Sequence, residues 1–548
     1  MIARCLFPVV FSQSNFLPKC SLASVFYQVT LRIYSKGIFI NTMLFSPLAA
    51  LPKPWVSFTP TVIIAVLLYA VLRMVYNVFF HPLRRFPGPR LRAVSRFPYT
   101  FSKIRGDPTR SIKPLHDKYG PVVRTAPDQL SFINSQAWVD IYGPKQSDMR
   151  GNVPKDPSMF RRRNGATASL PSAGDEDHRR LRRITAPAFS DKAVALQEQY
   201  LQQYTSVFIA RLRDLSTPPH DGPVNIVHWI NLLTTDIIGE LAFGENFGGL
   251  QNGALHPWLQ SMFTPIKIIS LVAELRRSLP FVAQLLSRVT IWWLRSSRTN
   301  LTHFAHETVQ RRMGMGTERP DLMSYILLHR GNDISDDEIR ESAVSFIVAG
   351  SETTATLLAG AIYLLSHNRH VLDKITGELR AGFRSASDLK LLPLQQHEYL
   401  HAVLQECFRF YPPAPDGLFR RVTSRGAIVA GEMIPPYTNM SVNLWAAGRS
   451  ERNFHRPEEF IPERWLKSCP PEFANDDRAV LKPFSIGPRD CVGKNLAWAE
   501  LRIVLANILW HFDFEVLPES EGWMENQKLF FLWEKPPLNV KFIPRKWE

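Results

Sequence analysis

Aspartate and glutamate are missing from residues 1–106, which nonetheless carry 13 lysines and arginines. The remaining 442 residues hold 52 basic and 49 acidic side chains, so the formal charge of +16 belongs to the N-terminal segment. A near-neutral body argues against the broad basic face that nucleic-acid binding requires. Cysteine is also scarce. Cys5, Cys20, Cys407, Cys469 and Cys491 stand far apart, with no CxxC pair and no Cys/His cluster at zinc spacing, which removes a disulfide framework and a structural zinc. No GxGxxG-bearing dinucleotide or flavin domain and no internal repeat is present. What the chain does have is globular composition, 45% hydrophobic and 21% charged over 548 residues, which excludes intrinsic disorder and suffices for a large core.

Thr61 to Phe80 reads TVIIAVLLYAVLRMVYNVFF. Twenty helical residues span about 30 Å, one hydrocarbon thickness, so residues 59–80 are expected to be a single transmembrane anchor. Trp55 before the run and Tyr76, Phe79 and Phe80 at its end resemble interfacial aromatic belts. A buried core helix is the competing reading. Six arginines from Arg73 to Arg96 lie at or beyond the end of the span and place the following body on the cytoplasmic side. Residues 1–42 read as a dispensable extension, with an acid-free transit peptide as the alternative, and residues 43–58 as a short lumenal segment. Four prolines and a glycine in residues 81–98 forbid continued helix and give a stiff linker. Residues 99–548 then form one large domain.

Chemistry concentrates in Phe484-Ser-Ile-Gly487-Pro-Arg489-Asp-Cys491-Val-Gly493, which precedes a helical pattern from Asn495 to Trp510. Two glycines let a loop turn tightly against a flat ligand. A cysteine at a helix N-terminus is favoured as thiolate by amide N–H groups and the dipole, and a thiolate binds iron. An isolated cysteine is otherwise a buried structural one. Upstream, Ser335-Asp-Asp-Glu338 is a capping box opening a proline-free pattern to about His367, some 30 residues and about 45 Å. Its middle reads Ala349-Gly350-Ser351-Glu352-Thr353-Thr354, where a mid-helix glycine costs about 1 kcal/mol and asks for a reason. An acid beside a hydroxyl relays protons, although alone the segment is equally an ordinary polar turn of a buried helix. Glu406 and Arg409 share a helix face by i, i+3 spacing. Asp175-Glu-Asp-His178 places acids at the start of a helix that continues through Arg182.

The segment from Phe484 to Gly493 resembles the haem-binding signature FxxGxRxCxG of the cytochrome P-450 superfamily, and the other motifs follow the family's order over roughly residues 81–548. The resemblance implies a mainly α fold with small β-sheets (α+β) and haem b, iron protoporphyrin IX, as cofactor. It implies Cys491 as the axial iron ligand, with Phe484, Gly487 and Gly493 shaping the loop and Arg489 on a haem propionate. Residues 349–354 match the family's AGxE/DTT motif, which makes Thr353 and Glu352 the suppliers of protons during oxygen activation. Phe460-Ile-Pro462-Glu463-Arg464-Trp465 is similar to FxPERW and implies a buried structural triad of Glu406, Arg409 and Arg464. At the family's WxxxR position Arg182 matches, while His178 stands where tryptophan is usual; both are expected at haem. The run YPPAPDGLFRR, residues 411–421, supplies another propionate arginine, Arg420 by spacing with Arg421 as the alternative.

Residues 177–190, 241–250 and 256–259 are similar to a fungal secondary-metabolism branch that includes trichothecene hydroxylases. The implied function is a membrane-bound haem-thiolate monooxygenase that uses O2 to hydroxylate or epoxidise a lipophilic small molecule, a terpenoid, polyketide or alkaloid. Electrons come from an NADPH-dependent reductase meeting basic residues such as Lys482, Arg489 and Lys494, and the endoplasmic reticulum membrane holds the enzyme facing the cytosol. Desaturation, rearrangement or oxidative coupling is the alternative chemistry, and a non-catalytic membrane haem protein the alternative class. Residues 149–173, 249–293, 345–354 and 414–419 are expected to line an apolar pocket, with the second stretch, including Trp292 and Trp293, either at the membrane or in the core.

Overall fold

The computed structural model describes residues 53–147, 149–157, 167–255, 257–279, 283–284 and 307–546. Residues 1–52 and Trp292–Trp293, for which an extension, a lumenal segment and a membrane contact are expected above, lie outside these. The chain divides into two compact units, residues 1–73 and 74–548. Most of the helix α1, Lys53–Phe79, belongs to the first. It starts six residues before the expected anchor, includes Pro60, and turns Ile64, Val66, Leu67, Leu68, Tyr69, Val71 and Leu72 outward at 54–67% exposure. An apolar surface of this kind is what a lipid-facing helix presents.

The second unit is predominantly helical. Its helices include α2 (Phe97–Arg105), α3 (Asp175–Thr185), α4 (Asp191–Leu215), α5 (Ile226–Phe243), α6 (Pro257–Ser278), α7 (Asp336–His367), α8 (Glu398–Phe410) and α9 (Lys494–His511). Small sheets flank them. Strands β1 (Val122–Ala126), β2 (Gln129–Phe132), β4 (Arg420–Arg421) and β5 (Asn439–Val442) form a sheet of order β1-β2-β5-β4. Its β2–β5 pair is parallel and the others antiparallel, with Arg420 opposite Met440. Strands β3 (Val224–Asn225), β6 (Phe512–Val516) and β9 (Asn539–Pro544) form a second, order β3-β9-β6, and β7 (Lys528–Leu529) pairs with β8 (Trp533–Glu534).

Helix α7 is the axis of the core. Ser335 caps it reciprocally with Glu338, satisfying two amide donors that the helix start leaves open, a motif worth about 1 kcal/mol. Among the described residues α5 and α7 are apolar and long enough to cross a membrane, yet 78% of each apolar window is buried in protein, so they are core helices. They pack closely. A Cβ added at Gly350 would lie 3.0 Å from Cδ1 and Cγ1 of Ile238, so the mid-helix glycine is explained by the approach of α5.

Candidate functional site

The loop from Phe484 to Gly493 is shaped by its backbone. The Cys491 N–H donates to the Phe484 carbonyl at 2.9 Å, and Asp490 N–H to Gly487 at 3.1 Å. Gly487 has φ +80°, and a Cβ there would sit 2.1 Å from the Tyr142 carbonyl oxygen, so only glycine allows the loop to lie against residues 142–143. Phe484 packs edge-on against Phe408, centroids 5.2 Å apart, and near Trp498 at 6.0 Å. Helix α9 begins at Lys494 with Gly493 as N-cap. Cys491 therefore precedes the helix by three residues instead of opening it, and burial raises its thiol. The Gly493 N–H and the charges of Arg182 and Lys494 oppose that rise without cancelling it. The residue is nevertheless exposed. Exposure of the residue and the upward push on its thiol together place Cys491 at a partly covered position on the loop.

Two ion pairs clasp this loop to α3. Arg182 donates to the Asp490 carbonyl at 2.7 Å and to its carboxylate at 2.6 Å. Arg489 donates to Asp175 at 2.7 Å and to the Ala173 carbonyl at 3.0 Å. Arg489 is thereby withdrawn from the surface on which a redox partner is expected, its side chain only 7% exposed, whereas Lys494 stays exposed. His178 lies one turn before Arg182 and is buried. Burial, followed by the charges of Arg489, Lys155 and Arg182, pushes its imidazole down to about 4.

Arg420, on β4, is buried with its guanidinium 5.2 Å over the Tyr142 ring. Its Nε and Nη1 have no hydrogen-bond partner, and neither does Nη1 of Arg489. Arg421 turns to the Tyr437 ring at 5.8 Å. Lys155 faces Arg420 across an isolated antiparallel bridge and donates to the Pro171 carbonyl. Burial, then Arg489 and Arg420, lower its ammonium to about 7. Lys155, His178, Arg182, Arg420 and Arg489 thus form one basic cluster in which Asp175 and Asp490 are the engaged acids. The three arginines outnumber the two acids, and such an excess of partly buried positive charge with unsatisfied N–H donors suits a dianionic ligand.

The residues fit haem b on three counts: Cys491 is exposed and free, the orphaned donors of Arg420 and Arg489 match a pair of propionates, and a Cβ at Gly493 would touch only Phe189, at 3.9 Å, so the backbone there is open to close approach. Phe189 also packs edge-on against Phe346 of α7, centroids 5.5 Å apart, so one aromatic side chain joins the cysteine loop to the axial helix. On α7 the otherwise buried run is interrupted at Val348, Ala349, Gly350 and Thr353, with Ala349 exposed. Thr353 Oγ1 donates to the Ala349 carbonyl at 2.6 Å.

Glu352 departs from the simplest reading of an acid–hydroxyl pair. Consecutive helical residues point about 100° apart. While Thr353 lies on the interrupted face, the Glu352 carboxylate is held by Lys535. Neither Lys535 nor Lys155 belongs to a sequence motif, and their roles come from contacts across 183 residues of chain and from the bridge to Arg420. Another unforeseen group is Glu500 on α9. It is buried beside Thr354, its Oε1 lacks a partner, and burial pushes its carboxyl up to about 8 against the lowering hydrogen bond of Thr354.

The Glu406 carboxylate is fully buried. It accepts from Arg409 at 2.7 and 2.8 Å, Arg464 at 3.3 Å, the Trp465 indole at 2.8 Å and the Ile461 amide at 2.8 Å. Burial raises its carboxyl, but the charges of Arg409 and Arg464 and the Ile461 amide outweigh it and hold it below the ordinary value. Removing one partner strands the rest in a low-dielectric interior.

Residues 89–542 match the family model described as Cytochrome P450. Cytochrome P450 monooxygenase lcsI of Purpureocillium lilacinum is 40% identical over 87% of this chain and 92% of its own length. Averantin hydroxylase of Dothistroma septosporum is 39% identical over 88% of this chain and 91% of its own length. Trichothecene C-15 hydroxylase of Fusarium sporotrichioides is 39% identical over 87% of this chain and 96% of its own length.

Proposed function

The chain belongs to the cytochrome P450 family and is a haem-dependent monooxygenase of the fungal secondary-metabolism type; from that premise we propose that it hydroxylates a lipophilic polyketide or terpenoid at a membrane surface, with electrons from an NADPH-dependent reductase. The carrying observation is the free, exposed Cys491 beside a basic cluster with buried unsatisfied donors. Cys491 would bind the haem iron, Arg420 and Arg489 would take the propionates, and Arg182 and His178 would back them. When bound, the haem activates dioxygen for insertion into an unactivated C–H bond.

The chain's own residues orient and protect that chemistry. Arg182 and Asp490 fix the loop on which Cys491 stands. Phe484, wedged against Phe408 and Trp498, fixes the start of the loop, whose carbonyl accepts from the Cys491 N–H. Thr353, on the interrupted face of α7, is the proton donor, and Glu352, about 100° round the helix, replenishes it. That relatives are named averantin hydroxylase and trichothecene C-15 hydroxylase supports hydroxylation of a secondary metabolite. The exposed apolar surface of α1 supports a single-pass anchor, and the arginines that follow it support a cytosolic body in the endoplasmic reticulum.

The test is incubation of microsomes containing the chain and a reductase with a panel of anthraquinone and sesquiterpene substrates under 18O2. One labelled oxygen in a product, lost in Thr353→Ala with a rise in peroxide, supports the reading. A product dehydrogenated or coupled without label overturns hydroxylation.

A further inference from the structure

Trp533, Tyr411, Trp523 and Tyr363 are oxidisable rings drawn from four distant segments and set in contact. Trp533 of β8 stacks on Tyr411 with centroids 5.6 Å apart, Tyr411 meets Trp523 at 5.8 Å, and Trp523 meets Tyr363 of α7 at 5.4 Å. Tyr411 is fully buried and the other three nearly so. Each rung is fixed. The Trp533 indole donates to the Pro412 carbonyl at 3.0 Å, the Trp523 indole to the Pro536 carbonyl at 2.8 Å, and the Tyr411 phenol to Gln527. A Cβ added at Gly360 would lie 2.2 Å from Cδ1 of Tyr411, so this ring lies directly on α7.

Core packing accounts for buried rings. It does not account for the opposite charges set at the two ends of this ladder. The inner end belongs to the candidate site: Tyr411 opens the run 411–421 that carries Arg420, and its phenol feels the charge of Glu352, the neighbour of Thr353. There the Arg110 guanidinium stands 5.3 Å over the Trp533 ring and 5.6 Å over Trp445, a side rung 5.7 Å from Trp533 that Arg449 also covers at 3.6 Å. The outer end reaches solvent at His367, which lies on Tyr363 at 4.2 Å with its side chain 33% exposed and 3.8 Å from Glu521. Burial and then the charges of Glu525 and Glu521 push the Tyr363 phenol up to about 12, against the Gly522 amide. A ring that has lost an electron carries a unit positive charge, which guanidinium groups disfavour and carboxylates favour. The field therefore draws such a charge from Trp533 towards Tyr363 and keeps it off Trp445.

We propose that Trp533, Tyr411, Trp523 and Tyr363 carry oxidising equivalents, one electron at a time, from the haem site to the surface, so that oxidant formed without substrate is discharged before it destroys the haem. Peroxide at the haem is the oxidant, and each discharge returns one electron to the site. Every ring replaces its lost electron from the next rung. Tyr363 gives up an electron to Trp523 and its phenolic proton to water, and a thiol in solution then returns one electron and one proton and ends as disulfide. The inference requires haem in the site and is independent of the substrate and of the proton supply.

The test uses the haem-loaded full chain with hydrogen peroxide and a nitrone spin trap, without reductase or organic substrate, and locates the adduct by mass spectrometry of peptides. Each variant is first matched for haem content by its ferric Soret band. Wild type is expected to be labelled at Tyr363, and Trp523→Phe, which breaks the ladder but keeps a ring, to lose that label about tenfold. In Tyr363→Phe the label moves back to Trp523 or Tyr411, and the Soret band bleaches faster under peroxide. Trp445→Phe, on the side rung, keeps both readouts at the wild-type level. Equal labelling of Tyr363 in wild type and Trp523→Phe, or label confined to residues off the ladder, overturns the inference.

Discussion

Glu500 gives the sharpest quantitative test of the electrostatics around α7 and α9. Its carboxyl is 4% exposed, and burial pushes it up to about 8 from an ordinary 4.5, the Thr354 hydrogen bond opposing. Between those values the folded chain keeps a proton that the unfolded chain has released. The resulting stability is fully present below about pH 4.5 and is lost as pH rises through 8, an effect of about 5 kcal/mol. Glu500→Gln keeps the shape and remains neutral. Urea unfolding followed by tryptophan fluorescence from pH 5 to 9 is therefore expected to show near-equal midpoints at pH 5 and a growing advantage for the variant towards pH 9. The histidines do not confuse the comparison. Burial lowers His116, His178 and His511 to about 4, so their contribution grows as pH rises from about 4 to 6.5, and it cancels in the difference between the two proteins. Parallel curves at all pH values would refute the reasoning, since they would mean that Glu500 is ionised or solvated in the folded state.

Two further outcomes follow from the site. Glu406→Ala leaves Arg409 and Arg464 buried without their shared acid and is expected to cost about 3–5 kcal/mol, read as a fall in the urea midpoint and in yield of haem-loaded protein. Arg420→Met removes orphaned donors aimed into the basic cluster. It is expected to speed haem loss to apomyoglobin roughly tenfold or more, the worth of about 1.5–3 kcal/mol per charged hydrogen bond, whereas Arg421→Met, over Tyr437, leaves that rate near wild type.

The parts of this protein that the sequence made legible are those encoded locally. The Ser335–Glu338 cap announces α7, the acids of residues 175–177 announce α3, and Phe484 to Gly493 carries its own turn glycine. Local patterning also suggested that Glu352 and Thr353 act side by side, but helical geometry turns them to different faces, and the partner of Glu352 arrives from the C-terminal segment. The helical pattern from Asn495 agrees with α9, which begins at Lys494, but Cys491, expected at a helix N-terminus, lies before the N-cap, where burial acts on the thiol more strongly than the helix does. Lys155, the Arg182–Asp490 clasp and the Thr354–Glu500 contact join segments distant in sequence, and no periodicity or spacing encodes them. Gly350 shows the same limit, because its cause is Ile238 on another helix.

The central claim is that Cys491 supplies a thiolate to haem. Its most direct test is the carbon monoxide difference spectrum of dithionite-reduced full-length protein, wild type against Cys491→Ser. The account predicts a strongly red-shifted Soret band in the wild type and its disappearance in the variant. A band at the position typical of histidine-ligated haem in folded wild type, or an unchanged red-shifted band in Cys491→Ser, would contradict it.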